Sequence, residues 1–132
     1  MNAIAVVAGI LMHEGKIMAA RRKPGGSESL KWEFPGGKVE NGETPEKALE
    51  RELYEELGIR TETGRIYDCR IRWGEERTIV LLFYFTKLVS GTPRAIDASD
   101  VGFFDISELS ALDFAAADKE IVMKLAGEMQ KR

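Results

Sequence analysis

The sequence contains one cysteine and one histidine among its 132 residues. Cys69 has no partner for an intramolecular disulfide, which agrees with a reducing cytosolic environment, and we expect it to be a small buried hydrophobic residue. We expect His13, at a strand-to-turn junction, to lie on the surface, and one histidine alone cannot form a metal centre. The two counts exclude a disulfide-stabilised fold and a histidine-based metal site.

The chain also lacks a long apolar run and an excess of basic residues. Its first 12 residues are apolar, but this run is too short to cross a bilayer and no basic segment precedes it. The net charge of −3 does not provide the basic surface of a nucleic-acid-binding protein. With 44% hydrophobic and 31% charged residues, the composition predicts one cytoplasmic domain, residues 1–132, with neither a membrane nor a nucleic-acid polymer as partner.

One stretch, residues 37–59, combines crowded negative charge with helix-boundary signals and reads GKVENGETPEKALERELYEELGI. Seven glutamates lie between Glu40 and Glu56, and like charges this close repel unless a cation lies among them. Thr44 suits an N-cap, Pro45 the first helical position and Gly58 the left-handed residue after a helix. The stretch therefore predicts a helix over residues 45–57.

This predicted helix has two different faces. Leucines recur every four residues and form a stripe to be buried, Leu49, Leu53 and Leu57. On another face, three glutamates at spacings of three and four residues converge, Glu52, Glu55 and Glu56. Three converging carboxylates suit a hard divalent cation such as magnesium. Gly36 and Gly37, just before the helix, allow the backbone to approach a ligand closely.

The stretch resembles the Nudix box, G-x5-E-x7-R-E-U-x-E-E-x-G-U, in which U is a bulky apolar residue. Every defined position is filled, by Gly37, Glu43, Arg51, Glu52, Leu53, Glu55, Glu56, Gly58 and Ile59. An ordinary amphipathic helix with a solvated glutamate face would require neither the glycines nor Glu43 at this spacing. The resemblance implies cleavage of a diphosphate linkage in a nucleoside diphosphate derivative, with Mg²⁺ as cofactor and Mn²⁺ as the alternative.

The resemblance also implies roles for the box residues. Glu52, Glu55 and Glu56 ligate the metal, with Gly36 counted in the same site, or one carboxylate instead acts as the base for the attacking water. Glu52 is the usual candidate for that base, but some family members use an acidic residue from a loop. Asp97 lies in the corresponding loop and is either an extra ligand or a plain turn residue.

We expect Arg51 and Glu43 to form a charge-assisted pair, in which Arg51 orients the glutamate. We expect Arg51 to contact Glu43 rather than the substrate. Coupled glutamates this close together titrate as a group, so no individual protonation state follows from the sequence.

Three residues before the box are candidate substrate contacts. Arg22 is either a solvated strand end or a phosphate clamp, since guanidinium groups match phosphate oxygens, and an arginine here lies near the nucleotide in MutT-like members. Phe34 is either a wall of the base pocket or a core aromatic. Glu33 precedes the anionic site and has a supporting or a substrate role.

Asp118 departs from the pattern of the MutT branch. At this position MutT-like proteins carry an asparagine that recognises an oxidised guanine. An ionised carboxylate only accepts hydrogen bonds, whereas an amide both donates and accepts. Asp118 would suit an amino group, as on cytosine, or would bind guanine if protonated. The alternative is an N-cap of the last helix, ahead of Lys119.

The hydrophobic pattern predicts strands on both sides of the box, at residues 3–12, 16–20, 65–73, 78–85 and 101–104, and a second long helix at residues 119–129. Residues 74–75 suit a two-residue hairpin turn. The order predicts an α/β fold, an α/β/α sandwich with a central mixed sheet and the long helices on opposite faces. The resemblance implies the Nudix fold.

The marks of other Nudix subgroups are missing from the sequence. Residues 73–75 are Trp-Gly-Glu where ADP-ribose hydrolases tend to carry a proline. The resemblance thus favours the MutT branch, which converts (deoxy)nucleoside triphosphates, among them 8-oxo-dGTP, to monophosphate and pyrophosphate. A hydrolase of ADP-ribose or a nucleotide sugar remains an alternative. A non-catalytic nucleotide-sensing domain is another, although it would be expected to have lost a box glutamate. The expected partner is a small nucleotide, with monomer and homodimer both open.

Overall fold

The computed structural model describes residues 2–130. Along the chain its elements are β1 (Ala3–His13), β2 (Lys16–Arg21), β3 (Trp32–Glu33), β4 (Gly36–Lys38), α1 (Pro45–Leu57), β5 (Arg60–Arg72), β6 (Thr78–Ser90), β7 (Asp100–Phe104), α2 (Ile106–Ala111) and α3 (Ala116–Met129). The bounds of α1 confirm the predicted helix. Within residues 2–130, no helix is both long and apolar enough to span a bilayer.

The described strands form one mixed sheet with the order β3-β2-β1-β6-β5, to which β4 adds along β1 and β7 along β2. β1 and β6 run parallel from the pair Ala3–Thr78 to the pair Leu11–Thr86, and the other pairs are antiparallel. Runs of apolar residues at β1 and β6 suit strands that are covered on both faces. The predicted central mixed sheet is confirmed.

Alternate residues of β1 face two separate apolar cores. Val7 and Leu11 pack with the leucines of α1, whereas Ala8 and Ile10 pack with the apolar residues of α3. Because successive side chains of a strand point to opposite faces, the two long helices cover opposite sides of the sheet. This is the α/β/α sandwich that the sequence predicts.

Helix α1 begins and ends at the residues that its capping signals indicate. The Thr44 hydroxyl accepts a hydrogen bond from the Lys47 N–H (3.2 Å), and Gly58 ends the helix at φ 71° with its N–H on the Tyr54 carbonyl (2.9 Å). Leu49, Leu53 and Leu57 are fully buried. Burying each such side chain contributes about 1.5–3 kcal/mol, so this stripe fixes which helix face turns outward.

Strand β5 differs from its prediction. It begins at Arg60 instead of residue 65, and a loop of residues 73–77 replaces the two-residue turn. Register shifts between Thr63 and Asp68 break the alternation of its faces, and β5 lies at the edge of the sheet. The expectation that Cys69 is buried is therefore wrong. Cys69 is exposed, as are Ile71 and Trp73 on the same side of the strand.

The buried stripe of α1 generates a stability prediction. Replacing Leu53 by alanine should lower the free energy of unfolding by about 2–5 kcal/mol, because it removes apolar contacts and leaves a cavity. Leu53→Met keeps the volume and should cost less than about 1.5 kcal/mol. Urea unfolding followed by circular dichroism measures both. Equal losses in the two variants would contradict the packing described for this helix.

Candidate active site

A cleft of about 270 Å³ opens where β4, the end of α1 and the start of α3 meet. Its charged lining consists of Arg22, Glu28, Glu33, Glu56, Arg72 and Asp118. Glu33 lies close enough to both Glu56 and Asp118 to raise the pKa of each carboxyl. The cleft therefore joins the glutamate face of α1 to the first turn of α3.

Two glycines of β4 allow the sheet and α1 to approach each other closely. A Cβ at Gly36 would lie 2.8 Å from the Ala8 Cα, and a Cβ at Gly37 would lie 2.7 Å from the Glu52 Oε1. Real Cβ atoms are not found so close to other heavy atoms. The absence of both side chains is thus what brings the Glu52 carboxylate against the backbone of β4.

Arg51 is the cation at the centre of the glutamate cluster. Its Nε and Nη2 donate to the two oxygens of Glu43 at 2.7 and 3.0 Å, and its Nη1 donates to Glu52 at 2.9 Å and to Glu55 at 3.3 Å. Nη2 also donates to the Lys38 carbonyl at 3.1 Å. One guanidinium therefore links the helix, the loop before it and the end of β4.

These contacts fix the charges of Arg51 and Glu43 at the centre of the glutamate cluster. The hydrogen bond from Arg51, helped by the Glu40 N–H, holds the pKa of Glu43 below its usual value. The hydrogen bond to Glu43 in turn keeps the pKa of Arg51 above its usual range. Glu43 thus remains an anion and Arg51 a cation at any pH near neutrality.

Glu52 and Glu56 experience the opposite effect. Burial raises the pKa of Glu56 to about 8, with repulsion from Glu52, Glu33 and Asp97 acting in the same direction. Burial also raises the pKa of Glu52, against the hydrogen bond from Arg51. A buried carboxyl among other carboxylates requires either a proton or a nearby cation.

The donor set suits a divalent cation, although its side chains are not gathered around one. Among residues 2–130, no three histidine, cysteine, aspartate or glutamate side chains converge as a metal cage. The reason is visible in the contacts, because Glu52 and Glu55 both face Arg51. Carboxylate oxygens around the half-buried Glu56 are what Mg²⁺ prefers, so the residues fit the cation once Glu52 and Glu55 turn from Arg51.

Asp97 lies next to this cluster but is paired elsewhere. The N–H groups of Ile96 and Asp97 both donate to the Glu56 carbonyl at 3.2 Å, which attaches this segment to the end of α1. The Asp97 Oδ1 is 3.1 Å from the Lys23 Nζ. The structure therefore brings the predicted extra ligand near Glu56 with a lysine as its counter-ion.

The three substrate candidates before the box also lie together at the cleft. The Arg22 Nε donates to the Glu33 Oε1 at 2.8 Å, and its Nη1 donates to the Ser27 carbonyl at 3.0 Å. Phe34 lines the cleft and is also a core residue, because it is 3% exposed and packs against the rings of Phe114 and Phe83. Phe34 is thus a core aromatic that also lines the cleft, and its role as a wall of a base pocket stays a prediction.

Asp118 is buried, with 8% of its surface exposed, and its Oδ2 accepts a hydrogen bond from the Phe34 N–H at 2.7 Å. Burial raises the pKa of Asp118 to about 7, against that hydrogen bond. The N-capping alternative is wrong. Helix α3 begins at Ala116 after an N-cap at Ala115, whose N–H donates to the Trp32 carbonyl (2.9 Å), and Asp118 lies within the first turn.

Two charged residues of the cleft were not predicted from the sequence. Glu28 lies in an irregular loop at φ 54°, and its carboxylate accepts from the Ala116 N–H at 3.3 Å. Arg72 lies at the last position of β5. Both reach the cleft through packing between distant segments, which no local pattern indicates.

The comparisons with known proteins agree with this geometry. A family model described as NUDIX domain matches residues 1–125. The chain is 32% identical over 126 residues to an 8-oxo-dGTP diphosphatase of Escherichia coli (strain K12), covering 95% of this chain and 98% of that one. It is 36% identical over 118 residues to a CTP pyrophosphohydrolase of the same organism, covering 89% and 87%.

Solved structures show the same similarity. The solution structure of the E. coli ORF135 protein superposes with a TM-score of 0.85 at 32% identity, covering 100% of this chain and 94% of that one. The MutT protein of methicillin-resistant Staphylococcus aureus 252 superposes with a TM-score of 0.77 at 33% identity, covering 97% and 99%. With its family match, its relatives and its fold, the chain belongs to the Nudix hydrolases and resembles their MutT-like members.

Proposed function

We propose that this protein is a metal-dependent pyrophosphohydrolase that converts (deoxy)nucleoside triphosphates, including oxidised guanine and cytosine nucleotides, to monophosphate and pyrophosphate. The observation that carries the proposal is the half-buried Glu56, close to Glu52, Glu33 and Asp97, in a cleft that also contains Arg22 and Asp118. The names of two relatives, an 8-oxo-dGTP diphosphatase and a CTP pyrophosphohydrolase, support the two kinds of base.

Nudix hydrolases generally use divalent metal ions, and we assign Mg²⁺, with Mn²⁺ as the alternative. Glu52, Glu55 and Glu56 would hold the ion, with Asp97 and the backbone of Gly36 beside them. When bound, such an ion polarises phosphate oxygens and acidifies a water. The anionic cluster of this acidic protein would then attract a polyphosphate instead of repelling it.

The protein's own residues orient the reaction around this centre. Arg51 and Glu43 form a two-pronged ion pair that holds the helix against the end of β4, and Arg51 also holds the Glu52 carboxylate, which lies against Gly37 at the edge of the cleft. If Glu55 and Glu56 hold the ion without it, Glu52 would instead act as the base for the attacking water, since burial raises its pKa above that of a free glutamate. Arg22 would bind phosphate oxygens through its guanidinium, which Glu33 orients.

At the other end of the cleft, Asp118 would read the base. One of its oxygens is taken by the Phe34 N–H, which fixes the carboxyl plane and leaves the second oxygen for a ligand. As a carboxylate, that oxygen accepts a hydrogen bond from an amino group, as on cytosine. In the protonated form the carboxyl also donates, as recognition of a carbonyl on guanine requires.

The activity itself is the first outcome to measure. Purified protein with MgCl₂ should convert CTP, 8-oxo-dGTP or both to the monophosphate and pyrophosphate, and EDTA should stop the reaction. Anion-exchange chromatography of a nucleotide panel separates the products. Orthophosphate as the sole primary product would contradict the proposed bond cleavage, and no turnover across the panel would favour a nucleotide-sensing domain.

The assignment of Glu56 as a metal ligand predicts a large kinetic effect. Glu56→Gln keeps the shape of the side chain but removes its charge, so kcat should fall by about two orders of magnitude or more while the fold is retained. Glu46→Gln removes the same charge from an exposed position in the first turn of the same helix and should leave kcat unchanged. Near-normal turnover of the Glu56 variant, with native circular dichroism, would refute the assignment.

The base-reading role of Asp118 predicts a change of substrate preference. Asp118→Asn keeps an oxygen for the Phe34 N–H and can add a donor, so the ratio of kcat/KM for 8-oxo-dGTP over CTP should rise about fivefold or more, the equivalent of about 1 kcal/mol. Steady-state kinetics with both nucleotides measures this ratio. Asp113→Asn, the same change at an exposed position outside the cleft, is the control.

Asp118→Ala is the less informative variant, because it removes the acceptor of a buried N–H. It should lower the free energy of unfolding by about 1–3 kcal/mol whether or not Asp118 touches a base. The asparagine variant separates the two roles, since its stability should stay close to wild type. An unchanged substrate ratio in that variant would exclude base reading by Asp118.

A further inference from the structure

The segment that carries Asp97 is attached to two elements at once. On one side, the N–H groups of Ile96 and Asp97 donate to the Glu56 carbonyl at the end of α1. On the other side, the Ser99 N–H donates to the Arg21 carbonyl at 2.8 Å, and the Ser99 hydroxyl donates to the Arg22 carbonyl at 3.0 Å. Asp97 is therefore held between the glutamate cluster and the end of β2.

Lys23 follows the end of β2 and reaches Asp97 from that side, with 3.1 Å between its Nζ and the Asp97 Oδ1. The Asp97 charge is one of those that raise the pKa of Glu56, so the two carboxylates are close. Lys23 thus neutralises the edge of the cluster near β2, as Arg51 does for the carboxylates facing the end of β4.

The two cations differ in how firmly they are held. Arg51 makes five hydrogen bonds and its side chain is 24% exposed. The side chains of Lys23 and Asp97 are 56% and 66% exposed. Exposed pairs of single charges are weak and exchange readily, and an ammonium on a flexible stem moves at little cost. Lys23 is therefore the cation that can leave the cluster.

We propose that Lys23 is a positioning residue that occupies Asp97 until a divalent cation takes this carboxylate, and that the released ammonium then pairs with the substrate's phosphates. The inference rests on the proposed function, since it assumes that Glu56 and Asp97 share a cation. A dication attracts Asp97 more strongly than an ammonium does, and it repels the ammonium. The Lys23 ammonium lies 3.1 Å from Asp97, whose charge acts on Glu56 of the cleft, so its flexible stem would carry the released ammonium to phosphates bound there.

Lys23 would have opposite effects on the binding of metal and of nucleotide. Without nucleotide, Lys23 competes with the metal, so it weakens metal binding. With nucleotide, Lys23 has a new partner in the phosphates, so it strengthens substrate binding. Metal and nucleotide would therefore promote each other's binding through this one side chain.

The test compares wild type with Lys23→Gln in two measurements. Calorimetric titration of Mn²⁺ into chelator-treated protein, without nucleotide, should give a Kd about 2- to 5-fold lower in the variant, the size of one exposed ion pair. Steady-state kinetics at saturating Mg²⁺ should give a KM for nucleoside triphosphate that is higher in the variant. If Lys23 were merely structural, the variant would bind both Mn²⁺ and nucleoside triphosphate more weakly than wild type. An unchanged Mn²⁺ affinity would overturn the proposal.

A matched control and a second background make the test specific. Lys31→Gln removes another lysine from an ion pair, 3.0 Å from Asp113 and outside the cleft, and should change neither quantity. In an Asp97→Asn background, the effect of Lys23→Gln on the Mn²⁺ Kd should largely disappear, because the shared carboxylate is gone. An equal effect in both backgrounds would mean that Lys23 acts by general repulsion, which overturns competition for Asp97.

The outcome also separates this inference from the function on which it rests. If wild-type protein binds Mn²⁺ and Lys23→Gln binds it with the same Kd, the metal site stands and the role of Lys23 is refuted. If wild-type protein binds no Mn²⁺ in the titration and hydrolyses no nucleotide, the proposed function fails and the inference fails with it.

Discussion

The repulsion among the carboxylates of α1 is the constraint on which the rest of the site depends. Arg51 offsets only part of it, because its single charge is shared among Glu43, Glu52 and Glu55. Glu56 is left half-buried among anions, and its desolvation and this repulsion together raise the pKa of its carboxyl. The negative charge of this protein, of net charge −3, is thus clustered at one cleft, where it attracts cations. A cation bound there would allow this anionic surface to bind a polyphosphate.

The close approach of the β4 backbone to β1 and α1 makes this clustering of negative charge possible. Gly36 and Gly37 lack the Cβ atoms that would collide with β1 and with the Glu52 carboxylate, so β4 fits between β1 and the helix. The leucine stripe of α1 is buried on a neighbouring face of the same helix. Packing energy from the core therefore holds glutamates at a separation that their charges alone would not maintain.

The sequence predicts best those features whose signals are local. Thr44, Pro45 and Gly58 determine both ends of α1 through contacts within a few residues, and the predicted bounds of that helix are confirmed. Helix α3 begins instead after Ala115, which has no capping side chain and whose N–H donates to the distant Trp32 carbonyl, so capping rules misplaced its start. The exposure of Cys69 likewise follows from register shifts in the pairing of β5 with β6. The alternation of residues within β5 alone does not indicate such shifts.

The parallel pairing of β1 with β6 has a consequence for how the chain folds. Ala3 pairs with Thr78 and Leu11 with Thr86, so the first strand remains uncovered on that side until most of the chain has left the ribosome. Contacts so distant in sequence close slowly, and an apolar strand edge that waits for its partner is prone to associate with other chains. The early apolar segment is thus the part of this protein for which a chaperone would matter most during synthesis.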